Sequence, residues 1–361
     1  MITAPVDLEL VPLTIPTSID APDAADFLEM VRLRNRILRE VAGHDDHRIA
    51  PDELLPHYQP DPDTDRLAWL VRADGRFVGR MGVDFPREPG SRTATWLIEL
   101  ITEVWGRGIG SAAYQHLEGV VRDHGRRVLQ SWAEHPQAAG ARLEPPTGFG
   151  TIPRDHIARF YLRHGYTLEQ VDRCSAFDLR GPFAHVEQLL AEATAAASGY
   201  RVVQWFAPTP AEFVDGYAWM KSRMITDAPA ADLEFDEETW DAARVARHDS
   251  LYTAAGRTLQ VTAAQHIATG ELCAFNELVI GKDRTEASSQ EDTLVLKEHR
   301  GHRLGLLVKC AGLLSWREIA PASPRVITYN AEENRPMLDI NEEIGFVPIS
   351  YDGAWKKVLD D

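Results

Sequence analysis

Cysteine is scarce. Cys174, Cys273 and Cys310 stand far apart, with no Cys-x-x-Cys pair. Neither a disulfide framework nor a thiolate metal ribbon is expected, and the three read as buried structural thiols in a reducing compartment. Lysine is sparse too. Of the 38 basic residues only Lys221, Lys282, Lys297, Lys309, Lys356 and Lys357 are lysines. No uninterrupted apolar run reaches membrane-spanning length. The opening residues, MITAPVDLEL, carry no basic stretch leading into an apolar one. The expectation is a cytoplasmic protein with no membrane partner. Basic charge is outnumbered, and the formal net charge of −17 repels phosphate backbones, so no nucleic-acid partner is expected. An acidic surface favours cationic substrates and also serves solubility.

What is present suffices for two cores. The chain has 361 residues, 44% of them hydrophobic and 26% charged, which suits two domains of ordinary size. A strand, VDLELVPL, precedes a helix over 24–41 whose Phe27, Met30, Val31, Ile37 and Leu38 recur at helical spacing. LAWLVRA and RFVGRMGVDF read as a hairpin turned at Asp74-Gly75, and ATWLIELIT as the next strand. A helix opens at 106–110, with Gly125 as its C-cap. RRVLQSWAE is a strand, 154–164 a helix closed by Gly165-Tyr166, and two short strands end near Leu179.

An Ala-rich helix over 183–197 reads as a linker, and then the order repeats. RVVQWF, helices over 209–224 and 235–255, the strands RTLQVTAAQHI, ELCAFNELVI and DTLVL, a helix over 304–316, the strand RVITYN, a helix over 331–344 closed by Gly345-Phe346, and two last strands finish the chain. The shared order predicts an internal repeat. The expected domains are 1–180 and 200–361, with 181–199 between them. The fold class is α/β (α+β): each domain is a mixed, mostly antiparallel sheet flanked by helices.

Two constellations carry chemistry. Trp105-Gly106-Arg107-Gly108-Ile109-Gly110 lies between a strand and a helix, and Arg300-Gly301-His302-Arg303-Leu304-Gly305 holds the matching place in the second half. Glycines let a chain turn tightly and present successive N–H groups. The helix behind adds its dipole, and together they suit a pyrophosphate. The glycines follow the fourth strand of a hairpin-connected sheet, which argues against a dinucleotide fold. Gly-Lys-Ser/Thr is absent, which excludes a P-loop.

With these motifs the sequence resembles the GNAT N-acetyltransferase superfamily, whose pyrophosphate loop reads Arg/Gln-x-x-Gly-x-Gly/Ala. The second half has Arg300 first and Gly305 last, with Arg303 at the middle Gly. The first half has Gly108 and Gly110, with Trp105 at the leading position. The family's next helix commonly reads Asn-x-x-Ala-x-x-x-Tyr-x-x-x-Gly-Phe. Tyr161 and Gly165-Tyr166 match it in the first half, where Arg154 replaces the Asn. Asn334 and Gly345-Phe346 match it in the second, where Asn341 replaces the Tyr. The resemblance covers nearly the whole chain, one copy per half, and the tandem layout is similar to that of mycothiol synthase.

The resemblance implies an acyl-CoA N-acyltransferase. Acetyl-CoA is the expected cosubstrate, a small-molecule primary amine the acceptor, and no metal takes part. The amine attacks the thioester directly in a ternary complex, aided by a base and an acid. In the first half Glu99, on the strand before the loop, is the candidate base and Tyr161 the candidate thiolate acid. In the second half Glu291 or Asp292 opens the matching strand, and Asn334 and Asn341 are expected to contact the cofactor. Which half is catalytic stays open. So do a CoA-binding regulatory protein without turnover, an aminoacyl-tRNA-dependent transferase, and the choice between monomer and homodimer.

Three further features stand out. Gly110 to Gly165 spans 165 − 110 = 55 residues and Gly305 to Gly345 spans 345 − 305 = 40, and the surplus, at 135–153, is expected to be a lid or specificity element. The acidic run at 227–241 is a candidate lining for a cation-binding cleft in the second half. His44 and His47 show HxxH spacing, as do His299 and His302, with no further ligand converging in sequence, so no metal site is read.

Overall fold

A computed structural model describes residues 6–136, 138–227 and 229–360. The opening pentapeptide and single positions of the surplus segment and of the acidic run lie outside it. The chain forms two compact units. The first comprises 1–172, 230–236 and 350–361, and the second 173–229 and 237–349.

The first unit begins with β1 (Leu8–Pro12), α1 (Ala25–Ala42) and a short α2 (Pro51–Leu54). Phe27, Met30, Val31, Leu33 and Ile37 form the buried stripe of α1. Next come β2 (Thr64–Ala73) and β3 (Arg76–Pro86). Asp74 and Gly75 join them with φ of 50° and 76°, the paired left-handed conformation that a tight hairpin needs. Then follow β4 (Thr93–Leu100), α3 (Ile109–Asp123), β5 (Val128–His135), β6 (Arg142–Leu143), β7 (Ile152–Pro153), α4 (His156–Arg163) and β8 (Thr167–Asp178), of which 167–172 belong to this unit.

The second unit contains α5 (Ala184–Ala196), β9 (Tyr200–Phe206), α6 (Ala211–Asp227), α7 (Ala242–Ala254), β10 (Thr258–His266), β11 (Leu272–Ile280), β12 (Ser288–Val295), α8 (Leu304–Ile319), β13 (Arg325–Ala331) and α9 (Arg335–Ile344). The last strand, β14 (Val347–Val358), contributes 350–358 to the first unit.

In the first unit β1, β2, β3 and β4 form an antiparallel meander, β5 runs parallel to β4, and β14 is antiparallel to β5. In the second, β9, β10, β11 and β12 form the meander and β13 runs parallel to β12. Each is a mixed, mostly antiparallel sheet flanked by helices.

Five details depart from the sequence reading. The helix expected over 235–255 is helical only from Ala242, where Asp241 caps it by accepting from the Arg244 N–H. Residues 230–236, in the middle of the acidic run, belong to the first unit: Gln130 bonds both the N–H and the carbonyl of Glu234, and Lys356 holds Asp232 and Glu234. The short strands expected near Leu179 are the single β8. The two last strands are one, because Gly353 does not turn. A Cβ there would stand 2.8 Å from Trp355 Nε1 and 2.9 Å from Ile152 Cδ1, so glycine serves close packing inside a continuous strand. The helix read as a linker, α5, packs against α8 within the second unit.

Candidate functional site

The parallel pair in each unit is joined only at its start. β4 and β5 pair at Thr93↔Val128, Ala94↔Leu129 and Thr95↔Gln130, and β12 and β13 at Ser288↔Val326 and Ser289↔Ile327. Beyond these positions no register pair joins the two strands among the described residues. Each splay is followed by a one-turn helix and a glycine-bearing loop.

The two loops superpose by number. Their turns start at Thr102 and Lys297 and their helices at Ile109 and Leu304, offsets of 297 − 102 = 195 and 304 − 109 = 195. Gly106 and Gly301 thus correspond, with φ of 77° and 85°, as do Gly108 and Arg303, with φ of 86° and 54°. Among the described residues the N–H groups of Gly106, Arg107, Gly108, Ile109, Gly110 and Ser111 make no hydrogen bond, nor do those of Gly301, His302, Arg303, Leu304, Gly305 and Leu306. Each set opens a helix of 15 or 16 residues, which fits a pyrophosphate.

Around the first loop, the Trp105 indole donates to the Leu100 carbonyl at 3.0 Å and stacks on His156. Arg107 pairs with Asp74. Gly110 lies close to Phe160, where a Cβ would stand 3.3 Å from the ring. In the second, Arg300 donates to the Val295 carbonyl and lies 3.7 Å from Asp227. Arg303 is held by Glu192 and Glu343, and His302 lies against Tyr200. Leu304 is buried, and Gly305 leaves room for Ile340. Asn334 precedes α9, its N–H bonding the Ala331 carbonyl.

The remaining candidates are placed very differently. Glu99 lies on β4 and is gripped by Arg80, which is 7% exposed. Arg80 Nε donates to Oε2 at 2.7 Å and Nη2 to Oε1 at 2.8 Å, while Nη1 donates to Tyr58 Oη at 3.1 Å. Tyr161 projects from α4 to the opposite face of the sheet. It is 2.8 Å from Ser131 Oγ on β5, stacks on Trp355 and touches Trp96. Burial, together with the charges of Glu99 and Asp352, pushes its hydroxyl well above the usual phenol range and keeps it protonated.

The second unit has Leu294 where the offset puts Glu99 (99 + 195 = 294), and Asn341 four residues before the closing glycine, where the first has Tyr161. Asn341 is buried, accepts from Lys309 Nζ at 2.7 Å and donates to Asn330. Glu291 is exposed and accepts from Ser289. Asp292 pairs with the buried Lys221 at 2.6 Å, and Lys221 also meets Glu277.

The structure adds residues that sequence spacing does not reveal. On the α1 side of the first splay, β5 presents Glu134 beside Asp352 of β14, its register partner. His44 and His47, in the loop after α1, meet Glu134 there, with His47 Nε2 3.6 Å from its Oε2. Burial and the charge of Glu134 hold the Asp352 carboxyl well above its ordinary range. Burial and the neighbouring His44 and Arg34 lower His47 to about 4, so its imidazole is neutral. Glu134 and Asp352 are far apart in sequence from the histidines and from each other, and only the strand register shows their meeting. On the other face, buried His135 meets Asp155, which also caps α4. Within the surplus segment β6 and β7 pair, and Ile152 of β7 is buried.

A splayed parallel pair leading into an unpaired-amide loop at a helix start is the layout that the GNAT resemblance implies. Residues 29–143 match the acetyltransferase (GNAT) family. The chain is similar over 98% of its length to a tandem GNAT protein from the clavulanic acid biosynthesis pathway, solved without acetyl-CoA. Identity is 25%, the TM-score 0.72, and 99% of that chain is covered. A GCN5-related N-acetyltransferase from Sphaerobacter thermophilus shares the fold at 14% identity and TM-score 0.64, over 98% of this chain and 96% of that one. No curated protein matches the chain. Residues 29–143 thus carry the acetyltransferase (GNAT) match, and the chain as a whole has the tandem GNAT fold. The family's usual acyl donor is acetyl-CoA, and among the described residues no helix is long and apolar enough to cross a membrane.

Proposed function

We propose that the first unit transfers an acetyl group from acetyl-CoA to a primary amine of a small molecule. The observation that carries this reading is the β4/β5 splay, with the unpaired amides of 106–111 at its end, Glu99 on one face and Tyr161 on the other. The loop amides and the α3 dipole hold the pyrophosphate of acetyl-CoA. The amine nitrogen attacks the thioester carbonyl carbon, and the C–S bond breaks. Glu99 takes the ammonium proton directly or through water, and Tyr161 protonates the departing thiolate. Arg80 fixes the Glu99 carboxylate in one orientation, which serves positioning.

A second reading applies to the second unit. It has the same unpaired amides, but Leu294 and Asn341 replace the proposed base and acid. We propose that it binds acyl-CoA without turnover.

The test is thiol release from acetyl-CoA over a panel of small primary amines. The reading expects acceptor-dependent release that Glu99→Gln and Tyr161→Phe each reduce. Acetyl-CoA binding with no release for any amine would leave only the binding role.

A further inference from the structure

We infer that His44, His47 and Glu134 form a site for a divalent transition-metal ion in the first unit. One donor atom from each lies within 4.8 Å of the others. The two imidazoles come from the loop between α1 and α2, with ring centroids 5.2 Å apart, and the carboxylate from the end of β5. Ligands on one zinc-like ion sit ~2.0–2.2 Å from it, so their donor atoms lie ~3–4 Å apart. The His47 Nε2 to Glu134 Oε2 distance of 3.6 Å already has that spacing.

Three buried atoms at this place make no hydrogen bond among the described residues: His44 Nε2, Glu134 Oε1 and Asp352 Oδ1. A buried polar atom left unpaired is costly. Two of them, His44 Nε2 and Glu134 Oε1, belong to the residues whose donor atoms cluster within 4.8 Å, and a cation held there would satisfy both imidazole nitrogen and carboxylate oxygen. Asp352 is the register partner of Glu134 and lies outside this donor set. The Asp46 carboxylate lies 3.4 Å from His44 Nδ1; with a metal on Nε2 that nitrogen carries the proton and donates to the carboxylate, the outer partner that ligating histidines commonly have, in place of the 3.3 Å bond it accepts from the Asp46 N–H.

Two imidazoles with a carboxylate select zinc, cobalt, manganese or iron over calcium or magnesium. The ion fastens the 43–50 loop to the end of β5. The Glu271, Cys273 and His299 cluster carries no matching inference, since Cys273 Sγ donates to the Glu271 carbonyl at 3.4 Å and among the described residues no buried side-chain nitrogen or oxygen there lacks a partner.

The test uses the full chain stripped with a chelator and titrated with Co2+. The expected result is one Co2+ per chain with a visible absorption band, displaced by Zn2+, and with paramagnetic shifts of the His44 and His47 ring protons. His47→Ala and Glu134→Gln should each weaken binding by more than the ~10–100-fold that loss of an outer partner costs, and Asp46→Asn by about that amount. No bound Co2+ in the wild type, unshifted ring protons, or affinity undiminished in folded His47→Ala and Glu134→Gln would each overturn the site. The readout needs no turnover, so its failure leaves the acyl-transfer reading intact.

Discussion

Arg80 holds both carboxylate oxygens of Glu99, at 2.7 and 2.8 Å, from a side chain almost wholly removed from water. Severing one end of such a pair leaves a charge without its partner. Arg80→Leu should therefore destabilise the protein by about 3 kcal/mol or more, measured by urea unfolding. Glu99→Gln keeps the shape and some of the hydrogen bonding, so its larger effect should be on turnover. A loss of ~100-fold in kcat is expected if Glu99 is the base. Unchanged kcat in Glu99→Gln would remove it from that role.

Tyr161→Phe keeps the ring stack on Trp355 and deletes the bond to Ser131. Stability should fall by about 1 kcal/mol, while kcat should fall by ~10–100-fold, since a thiolate leaves readily and needs less acid assistance than an alkoxide. The raised Tyr161 hydroxyl predicts no alkaline loss of activity from its ionisation up to pH 10. An alkaline limb below pH 10 that disappears in Tyr161→Phe would contradict the assignment.

Lys309 is buried in the second unit, and burial lowers its pKa to about 7. The unfolded chain holds this proton up to about pH 10.4, so between pH 7 and that value it binds more protons than the folded chain. Stability from this group therefore rises with pH through that window and is lowest below pH 7. Lys309→Met should stabilise the protein at pH 7 and flatten its stability profile between pH 7 and 10. A profile identical to wild type would show that Lys309 titrates normally.

Gly108 and Arg303 occupy the same left-handed position, yet only one is glycine. A Cβ at Gly108 meets nothing within 4 Å, so Gly108→Ala should cost only the conformational strain, about 1 kcal/mol. Arg303→Gly removes that strain together with the pairs to Glu192 and Glu343, which are largely exposed and worth little. Its stability should lie within about 1 kcal/mol of wild type by chemical unfolding.

Much of this architecture is legible in the sequence because its signals are local. Asp74-Gly75 fixes a hairpin, the α1 apolar spacing fixes a helix face, and the two glycine loops mark corresponding helix starts. What stayed hidden depends on distant partners. The end of the chain reads as two strands and is one, where Gly353 packs closely against Trp355 and against Ile152, which arrives from far along the chain. Residues 230–236 read as part of an acidic run, although Gln130 and Lys356 bind them into the first unit. The HxxH at 44–47 has no third ligand nearby in sequence, and Glu134 reaches it only through the fold. The Glu99 carboxylate is visible as a strand residue, but its grip by Arg80 follows from register alone.

The most direct test of the central claim is acetyl-CoA binding by native mass spectrometry, comparing wild type with Gly108→Glu and Arg303→Glu, each checked for folding by circular dichroism. A carboxylate at the start of α3 repels the pyrophosphate from the amides of 106–111. The account predicts that the wild type binds acetyl-CoA, and that Gly108→Glu loses one bound molecule and all acyl transfer. Arg303→Glu should keep the transfer activity. No acetyl-CoA on the wild type, or full transfer by Gly108→Glu, would contradict it.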